Sequence, residues 1–368
     1  MKSPTPRVMV WTVFLFTAAA PGLWAQTLNQ QKQTPPVKMG TSGGSAADVN
    51  RSFCCGGTLG SLITRDNVLY VLSNNHILAR SGGATVGEQD IQPGLIDSAC
   101  SAAGDNIVGT FPGNFVPLGT ANVDVGLSQA NPGVVDTTGA ILEVGVPCTA
   151  TQQASIGLPV TKSGRTTGQT FGTVQAVNVN VTVQYQVGCN RGKKFTIAYT
   201  NQVSITGNGG SSFSAGGDSG SLIVSNNSSP NHPTALLYAG SSTTTIGNPI
   251  GDVVNALSAG GHTISFVGNS SCSAPLASSV LSPGSQILSG PSENDVEVAR
   301  MIKERHEPDL FAHAEVIGVG VGADEKEPGK AVIVVYVVGN GGVRSHGLPS
   351  DLEGVPVHVI PTAPFVAF

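Results

Sequence analysis

The residues of this 368-residue sequence best suited to chemistry lie in the run Gly216-Gly217-Asp218-Ser219-Gly220-Ser221. A serine hydroxyl is a poor nucleophile at neutral pH. It needs a base, usually an imidazole, an acid that orients that imidazole, and donors for the oxyanion that forms. Of the seven histidines only His76 precedes Ser219, and it follows an apolar strand candidate in "VLYVLSNNHILAR". Asp124 lies between two valines in "NVDVGLS", where a carboxylate is buried or half-buried and needs a partner. Asp97, in "GLIDSAC", is the reserve candidate for the orienting acid. Taken singly, each of these residues reads equally well as a turn residue or a structural hydrogen bond; together they supply a nucleophile, a base and an orienting acid.

The elements that must position them are short strands. Hydrophobic residues make up 40% of the chain, charged residues only 11%, and there are 48 glycines, a composition that favours strands and tight turns over long charged helices. Between Phe53 and Val267 apolar runs alternate with turn signals, as in "GSLIT", "NVLYVLS", "NVDVGLS", "SLIVS" and "TALLYAGSS", the pattern of a sandwich or barrel. From Val174 to Val187 the alternation puts Val177, Val179, Val181, Val183 and Tyr185 on one face of a half-buried antiparallel strand. "NPIGDVVNALSAGG" is the clear helical pattern of this region, with Pro249 near its start and Gly260-Gly261 at its end.

The organisation around this unit follows from composition. Residues 1–25 carry Lys2 and Arg7, an apolar run from Val8 to Ala20 and a small residue at Ala25, the pattern of a secretory signal, with an uncleaved anchor as the other reading. The remaining chain is therefore expected to be secreted or periplasmic. Six cysteines, Cys54, Cys55, Cys100, Cys148, Cys189 and Cys272, suit disulfides in such a compartment, and their pairing is open. No C-x-x-C and no histidine at ligand spacing points to a metal; His306 and His313 flank Pro308 at poor spacing and read as surface residues. Residues 26–50 read as a polar N-terminal arm, 51–267 as the main domain and 268–291 as a Ser/Pro/Gly-rich linker. Residues 292–368 read as a small α+β domain: a helix capped by Ser292 that stops before Pro308, then strands at Glu315–Val321, Ala331–Val338 and Val355–Ile360. The "GVGVG" run is a glycine-rich strand rather than a nucleotide loop, since no helix opens after it. A net charge of −5 and a single small basic cluster, Arg191-Gly192-Lys193-Lys194, give no reason to expect nucleic acid as a partner.

His at a strand end, Asp in "DVGL" and Ser in "GGDSGS", in that order, resemble the chymotrypsin/trypsin-like serine protease superfamily. The segment "CCGGTLGSLI" resembles the strand before the catalytic histidine, and "TKSGRTTGQTFGTV" (Thr161 to Val174) is similar to the corresponding segment of secreted bacterial α-lytic and streptogrisin-type proteases. "SNNH", "QPGLID" and "AGSSTTTIGNPI" resemble a trypsin-like group that includes the plant narrow-leaf type proteins. The resemblance covers Cys54 to Leu257. It implies a mainly β fold of two six-stranded antiparallel barrels with a short C-terminal helix, ahead of the α+β unit. It also implies a serine endopeptidase that acts on protein or peptide substrates without a cofactor. In that scheme Ser219 attacks, His76 is general base, Asp124 orients it, and the N–H groups of Gly217 and Ser219 form the oxyanion hole. Asp218 needs a counter-charge if buried, and Arg165, the arginine of "SGRTTG", is expected to supply it. The substrate pocket is expected at Phe213, Gly240, Ser241 and Ser242. With Phe213 where a trypsin-type enzyme carries an acid, no Lys/Arg preference is expected, but a small or apolar residue. Ser221, Ile77 after the histidine and the pair Asn74-Asn75 before it depart from the usual pattern, and they leave a second reading: a catalytically silent protease-like binding or adhesion protein. The α+β unit carries no catalytic set and is expected to bind a partner or the protease domain itself.

Overall fold

A computed structural model describes residues 26–189, 192–272, 290–339 and 347–368. The expected signal at 1–25, Arg191 of the basic cluster and most of the expected linker lie outside the described residues. The chain is mainly β. It opens with β1 (Thr41–Ser45), β2 (Gly57–Leu59), β3 (Ser61–Arg65) and β4 (Val68–Ser73), then the single turn α1 (Asn75–Leu78), then β5 (Gln89–Gln92), β6 (Asn106–Thr110) and β7 (Gly126–Ala130). A second set follows: β8 (Pro159–Gly164), β9 (Gly168–Gln186), β10 (Lys194–Gly207), β11 (Leu222–Ser225), β12 (Pro233–Gly240) and β13 (Thr245–Pro249). Helix α2 (Ile250–Ser258) leads back to β14 (Ile264–Phe266), which pairs with β3 and completes a first sheet in the order β14-β3-β4-β7-β6-β5-β1-β2.

The last part of the chain holds α3 (Glu293–Phe311), β15 (Val316–Ala323), β16 (Ala331–Val338), β17 (Asp351–Leu352), β18 (Val355–Thr362) and β19 (Val366–Ala367). The three longer strands fall within two residues of where the sequence pattern puts them. These strands share a sheet with the second set: β15 pairs antiparallel with β9, so the order runs β10-β13-β12-β11-β8-β9-β15-β16-β18-β17. One apolar cluster lies between the two sheets, drawing on β11 and β12 as well as on the first sheet. Leu62, Val71, Leu127, Leu236 and Val253 belong to this shared cluster, and Val160, Val174, Ile205, Phe213 and Leu237 to one beneath the second sheet. The cysteines pair as Cys54–Cys100, Cys55–Cys189 and Cys148–Cys272, and the second of these ties the β9–β10 hairpin to the segment just before β2.

Three expectations are corrected. Residues 26–50 are not a loose arm: β1 pairs with β2 and β5, and Val37, Met39, Thr41 and Ser42 are fully buried. Small residues conceal this in the sequence, because the strand packs so closely that a Cβ on Gly43 would lie 2.4 Å from Leu59 Cγ. Val177 does not share the buried face with Val179, Val181, Val183 and Tyr185, which Ala176 joins instead; Val177 is partly buried against a different cluster that contains Val174. Asn178 takes a positive φ of 50° and adds one residue at an irregularity in the β9–β10 ladder, which inverts the alternation upstream. Helix α3 runs through Pro308 to Phe311 rather than stopping before it. Ser292 caps its start by accepting from Asp295 N, and the turn beyond Pro308 buries Leu310, whose burial offsets the missing N–H.

The "GVGVG" glycines have a packing role. A Cβ on Gly320 would lie 2.8 Å from Val179 Cγ2, and one on Gly322 would lie 2.7 Å from Val334 Cγ2, so the bare strand lets side chains of β9 and β16 close over it. Gly320→Val is expected to destabilise the protein by about 1–3 kcal/mol through overpacking. A urea unfolding midpoint lowered at unchanged slope checks this.

Candidate active site

His76 stands in α1, directly after β4; Asp124 lies just before β7; Ser219 sits in the turn before β11. The first sheet thus carries His76 and Asp124 and the second carries Ser219. Asp124 is completely buried, and its carboxylate is fully engaged. Its Oδ1 accepts from the N–H groups of Asn75 at 2.8 Å and His76 at 3.3 Å, two of the free N–H groups at the start of the α1 turn. Its Oδ2 lies 2.5 Å from His76 Nδ1 and accepts the Tyr185 hydroxyl at 3.0 Å. The Asn74 amide donates to the Asp124 carbonyl at 2.8 Å, and the Asp124 N–H donates to Asn248 Oδ1 at 3.0 Å. Asn74, one of two departures from the family pattern, thus holds the aspartate's backbone, while the buried Asn75 amide donates to Asn114 Oδ1 and the Val116 carbonyl and its backbone N–H serves the carboxylate.

Burial pushes the His76 imidazole down, but the charge of Asp124 and its hydrogen bond outweigh this, and with the Phe368 carbonyl they hold His76 above the ordinary histidine value. Both ring nitrogens face oxygen acceptors: Asp124 Oδ2 on one side and, at 3.0 Å from Nε2, the Phe368 carbonyl on the other. An imidazolium satisfies both at once.

Ser219 is buried; its hydroxyl donates to the Tyr238 carbonyl at 2.9 Å and accepts the Phe368 N–H at 3.2 Å. Gly217 has a φ of +98°, and a Cβ there would lie 2.5 Å from Thr166 Oγ1 and 2.8 Å from Arg165 Nη1. Only glycine gives the loop this path between the serine and the "SGRTTG" turn. Ser221, unexplained by sequence, donates its hydroxyl to the Asp218 carbonyl at 2.7 Å and so closes the same turn.

Asp218 is buried, but its counter-charge is not Arg165. The arginine forms a two-pronged pair with Asp97, Nε to Oδ2 at 2.6 Å and Nη2 to Oδ1 at 2.7 Å, which also removes Asp97 from contention as the orienting acid. Lys162 takes the place instead, with Nζ 3.3 Å from Asp218 Oδ2 and both side chains without exposure. The Asp218 carboxylate further accepts from the N–H groups of Thr166, Thr167 and Ala215 and from the Thr167 hydroxyl at 2.8, 3.2, 3.0 and 2.7 Å. The reason is strand parity. Lys162 lies inside β8, pointing inward under the serine turn, while Arg165 lies past its end, where the chain faces Asp97. Burial pushes the Lys162 ammonium down and Asp218 opposes it. A lysine inside the run Val160-Thr161-Lys162-Ser163 was the available signal.

Phe213 is buried in the cluster beneath β8–β12, and Ser241 is nearly so, while Gly240 ends β12. Tyr185, His76, Phe53 and the Cys55–Cys189 bridge line a cleft of about 400 Å³ that Ala367 and Phe368 also border. Tyr185 hydrogen-bonds Tyr199 at 2.7 Å, and Tyr199 meets Tyr238 edge-on at 5.0 Å, an aromatic floor behind the Asp–His pair that the sequence pattern did not expose. Among the described residues no helix is long and apolar enough to cross a membrane. His306 hydrogen-bonds Glu353 at 2.8 Å, away from this cleft.

No protein-family model and no curated protein matches the sequence. Among solved structures, the chain is similar to a glutamic-acid-specific serine protease, at 20% identity and a TM-score of 0.41 over 62% of this chain and 100% of that one. It is similar to a chymotrypsin of Cellulomonas bogoriensis at 18% identity and a TM-score of 0.38, over 63% of this chain and 99% of that one. It is also similar to protease A of Thermobifida fusca, at 18% identity and a TM-score of 0.37 over 58% and 92% of the two chains. These neighbours are bacterial chymotrypsin-like serine proteases.

Proposed function

We propose that the protein is a serine endopeptidase acting through an acyl-enzyme on Ser219. The observation that carries this reading is convergence on one residue: His76 Nε2 and Ser219 Oγ bond to the carbonyl and the N–H of Phe368. A substrate residue placed there presents its carbonyl carbon to the serine. Ser219 Oγ attacks that carbon and its proton passes to His76 Nε2. The peptide C–N bond breaks, the leaving amine takes the proton from His76, and a water activated by the same imidazole then releases the acyl group. Asp124 keeps Nδ1 protonated and stabilises the imidazolium, with Tyr185 and the Asn75 N–H holding the carboxylate in place. The N–H groups of Gly217 and Ser219 receive the oxyanion, where one such donor is worth about 100- to 1000-fold in turnover. Lys162 and Asp218 fix the loop that carries them. Three disulfides suit a secreted or periplasmic setting for this chemistry.

A serine-directed fluorophosphonate is expected to label the protein at Ser219, and Ser219→Ala to abolish labelling without lowering the melting temperature. Unlabelled, well-folded wild type in which the substrate cleft is open supports a silent binding protein instead. Because His76 must be neutral to act and is held above the ordinary value, turnover is expected to fall as pH drops through a midpoint above about 6.5. Tyr185→Phe removes a donor from Asp124, leaves more negative charge beside the imidazolium, and is expected to move that midpoint upward in a pH–kcat/KM profile. Lys162→Met strands a buried carboxylate and is expected to cost about 3–5 kcal/mol and to slow labelling, with Lys162→Met/Asp218→Asn recovering part of the stability in denaturant titration.

A further inference from the structure

A nucleophile that must meet substrate is, in this structure, fully buried. Residues 365–368 cover it. The Thr362 hydroxyl donates to Ser241 Oγ at 2.7 Å, and the buried Phe365 ring meets Tyr336 edge-on at 5.6 Å, so the segment enters the cleft from fixed points. The Phe365 carbonyl accepts from Gln184 N at 2.9 Å. β19 then pairs antiparallel with the end of β12, Val366 opposite Gly240 and Ala367 opposite Ala239, while Val366 also pairs with Gln184 of β9. Phe368 follows with its N–H directed at Ser219 Oγ and, at 3.4 Å, at the Tyr238 carbonyl. Its ring lies along Gly240, where a Cβ would come within 2.8 Å of Cζ, and it packs against the cluster that contains Phe213, Ile205 and Val203.

A strand that served only to extend the sheet would satisfy backbone groups. This one also engages Ser219 Oγ and His76 Nε2, the two atoms the proposed chemistry needs free, and it sets an aromatic ring in the space beside a residue that has no side chain. We propose that residues 365–368 are a tethered, substrate-like occupant of the cleft: the site takes extended peptide whose residue before the scissile bond is a large aromatic, and the chain holds its own serine off by presenting Val366-Ala367-Phe368 there. This rests on the serine peptidase reading and narrows the expected small or apolar residue to a large aromatic one; Gly240 and the apolar wall make room for the ring, and among the described residues no charged side chain lies there to hold Lys, Arg or Glu.

The test uses the full chain and two substitutions, Val366→Pro, which removes a strand N–H, and Phe368→Asp, which places a charge against the apolar wall. Folding is checked by circular dichroism. The rate of fluorophosphonate labelling at Ser219 is expected to rise at least tenfold in each variant over wild type. With the Val366→Pro protein, tetrapeptide anilides differing only in the last residue are expected to be cleaved at least tenfold faster with Phe than with Ala. Equal labelling rates in wild type and both folded variants, or a preference for Ala, overturn this inference and leave the peptidase reading standing. Absence of Ser219 labelling in every folded variant overturns the peptidase reading and the inference with it. As a readout independent of turnover, the peptide Thr-Ala-Pro-Phe-Val-Ala-Phe is expected to bind the Ser219→Ala/Val366→Pro protein in calorimetry, and no heat of binding counts against the inference.

Discussion

A carboxylate with no contact to solvent must find its hydrogen-bond donors inside the protein, and Asp124 finds them on separate stretches of chain. Backbone N–H groups and the imidazole come from α1 of the first sheet, and a phenol comes from β9 of the second. Asn248, at the end of β13, fixes the aspartate's own backbone. One buried charge therefore sets the angle of the histidine, the depth of the α1 turn and the seating of the two sheets against each other. If the sheets slid apart, the carboxylate would lose the Tyr185 hydroxyl, and Tyr185 would keep only Tyr199 as a partner inside an apolar cluster.

Asp218 repeats the arrangement beneath the serine. Four donors and an ammonium surround it, and the donors come from the turn at Thr166–Thr167, from Ala215 and from β8. Lys162 also bonds the Thr167 hydroxyl and the Gly168 carbonyl, so the β8–β9 turn and the serine turn are held by the same two charges. Removal of a buried pair as a whole costs far less than removal of one member, so the value of this pair lies in fixing a loop conformation rather than in net stability. β9 links both carboxylates to the rest of the chain: it begins at the Asp218 turn, contributes Tyr185 to Asp124, and offers its other edge to β15 and β19.

Much of this was legible in the sequence. Short strands and the α2 and α3 helices are carried by local pattern, since alternation and capping residues are each specified within a few positions. What escaped depends on contacts between distant residues or on parity. β1 is buried without being apolar, because Thr41, Ser42 and Gly43 pack by smallness. A single added residue at Asn178 moved Val177 off the buried face. Arg165 and Lys162 stand three positions apart in one motif, and only the end of β8 between them decides which meets Asp218 and which meets Asp97. Tyr185 reads in the sequence as one more apolar residue on a strand face, and its hydroxyl acquires a role only when Asp124 arrives from another sheet.

The cleft-bound segment shows the same dependence on distant contacts. A two-residue strand pairing is marginal in isolation, as short ladders are in water. Here Thr362 and Phe365 hold its near end in place, one by a hydrogen bond to Ser241 and the other by burial against Tyr336. Tethering turns a weak bimolecular contact into an intramolecular one with an effective concentration on the order of millimolar for a short linker. In the proposed scheme a peptide substrate competes with that concentration rather than with the intrinsic strength of Val366-Ala367-Phe368. On that proposal, occupancy of the cleft depends on what holds β18 and Phe365 to the second sheet, and the β9–β15 seam, remote from Ser219, joins the terms that set access to it.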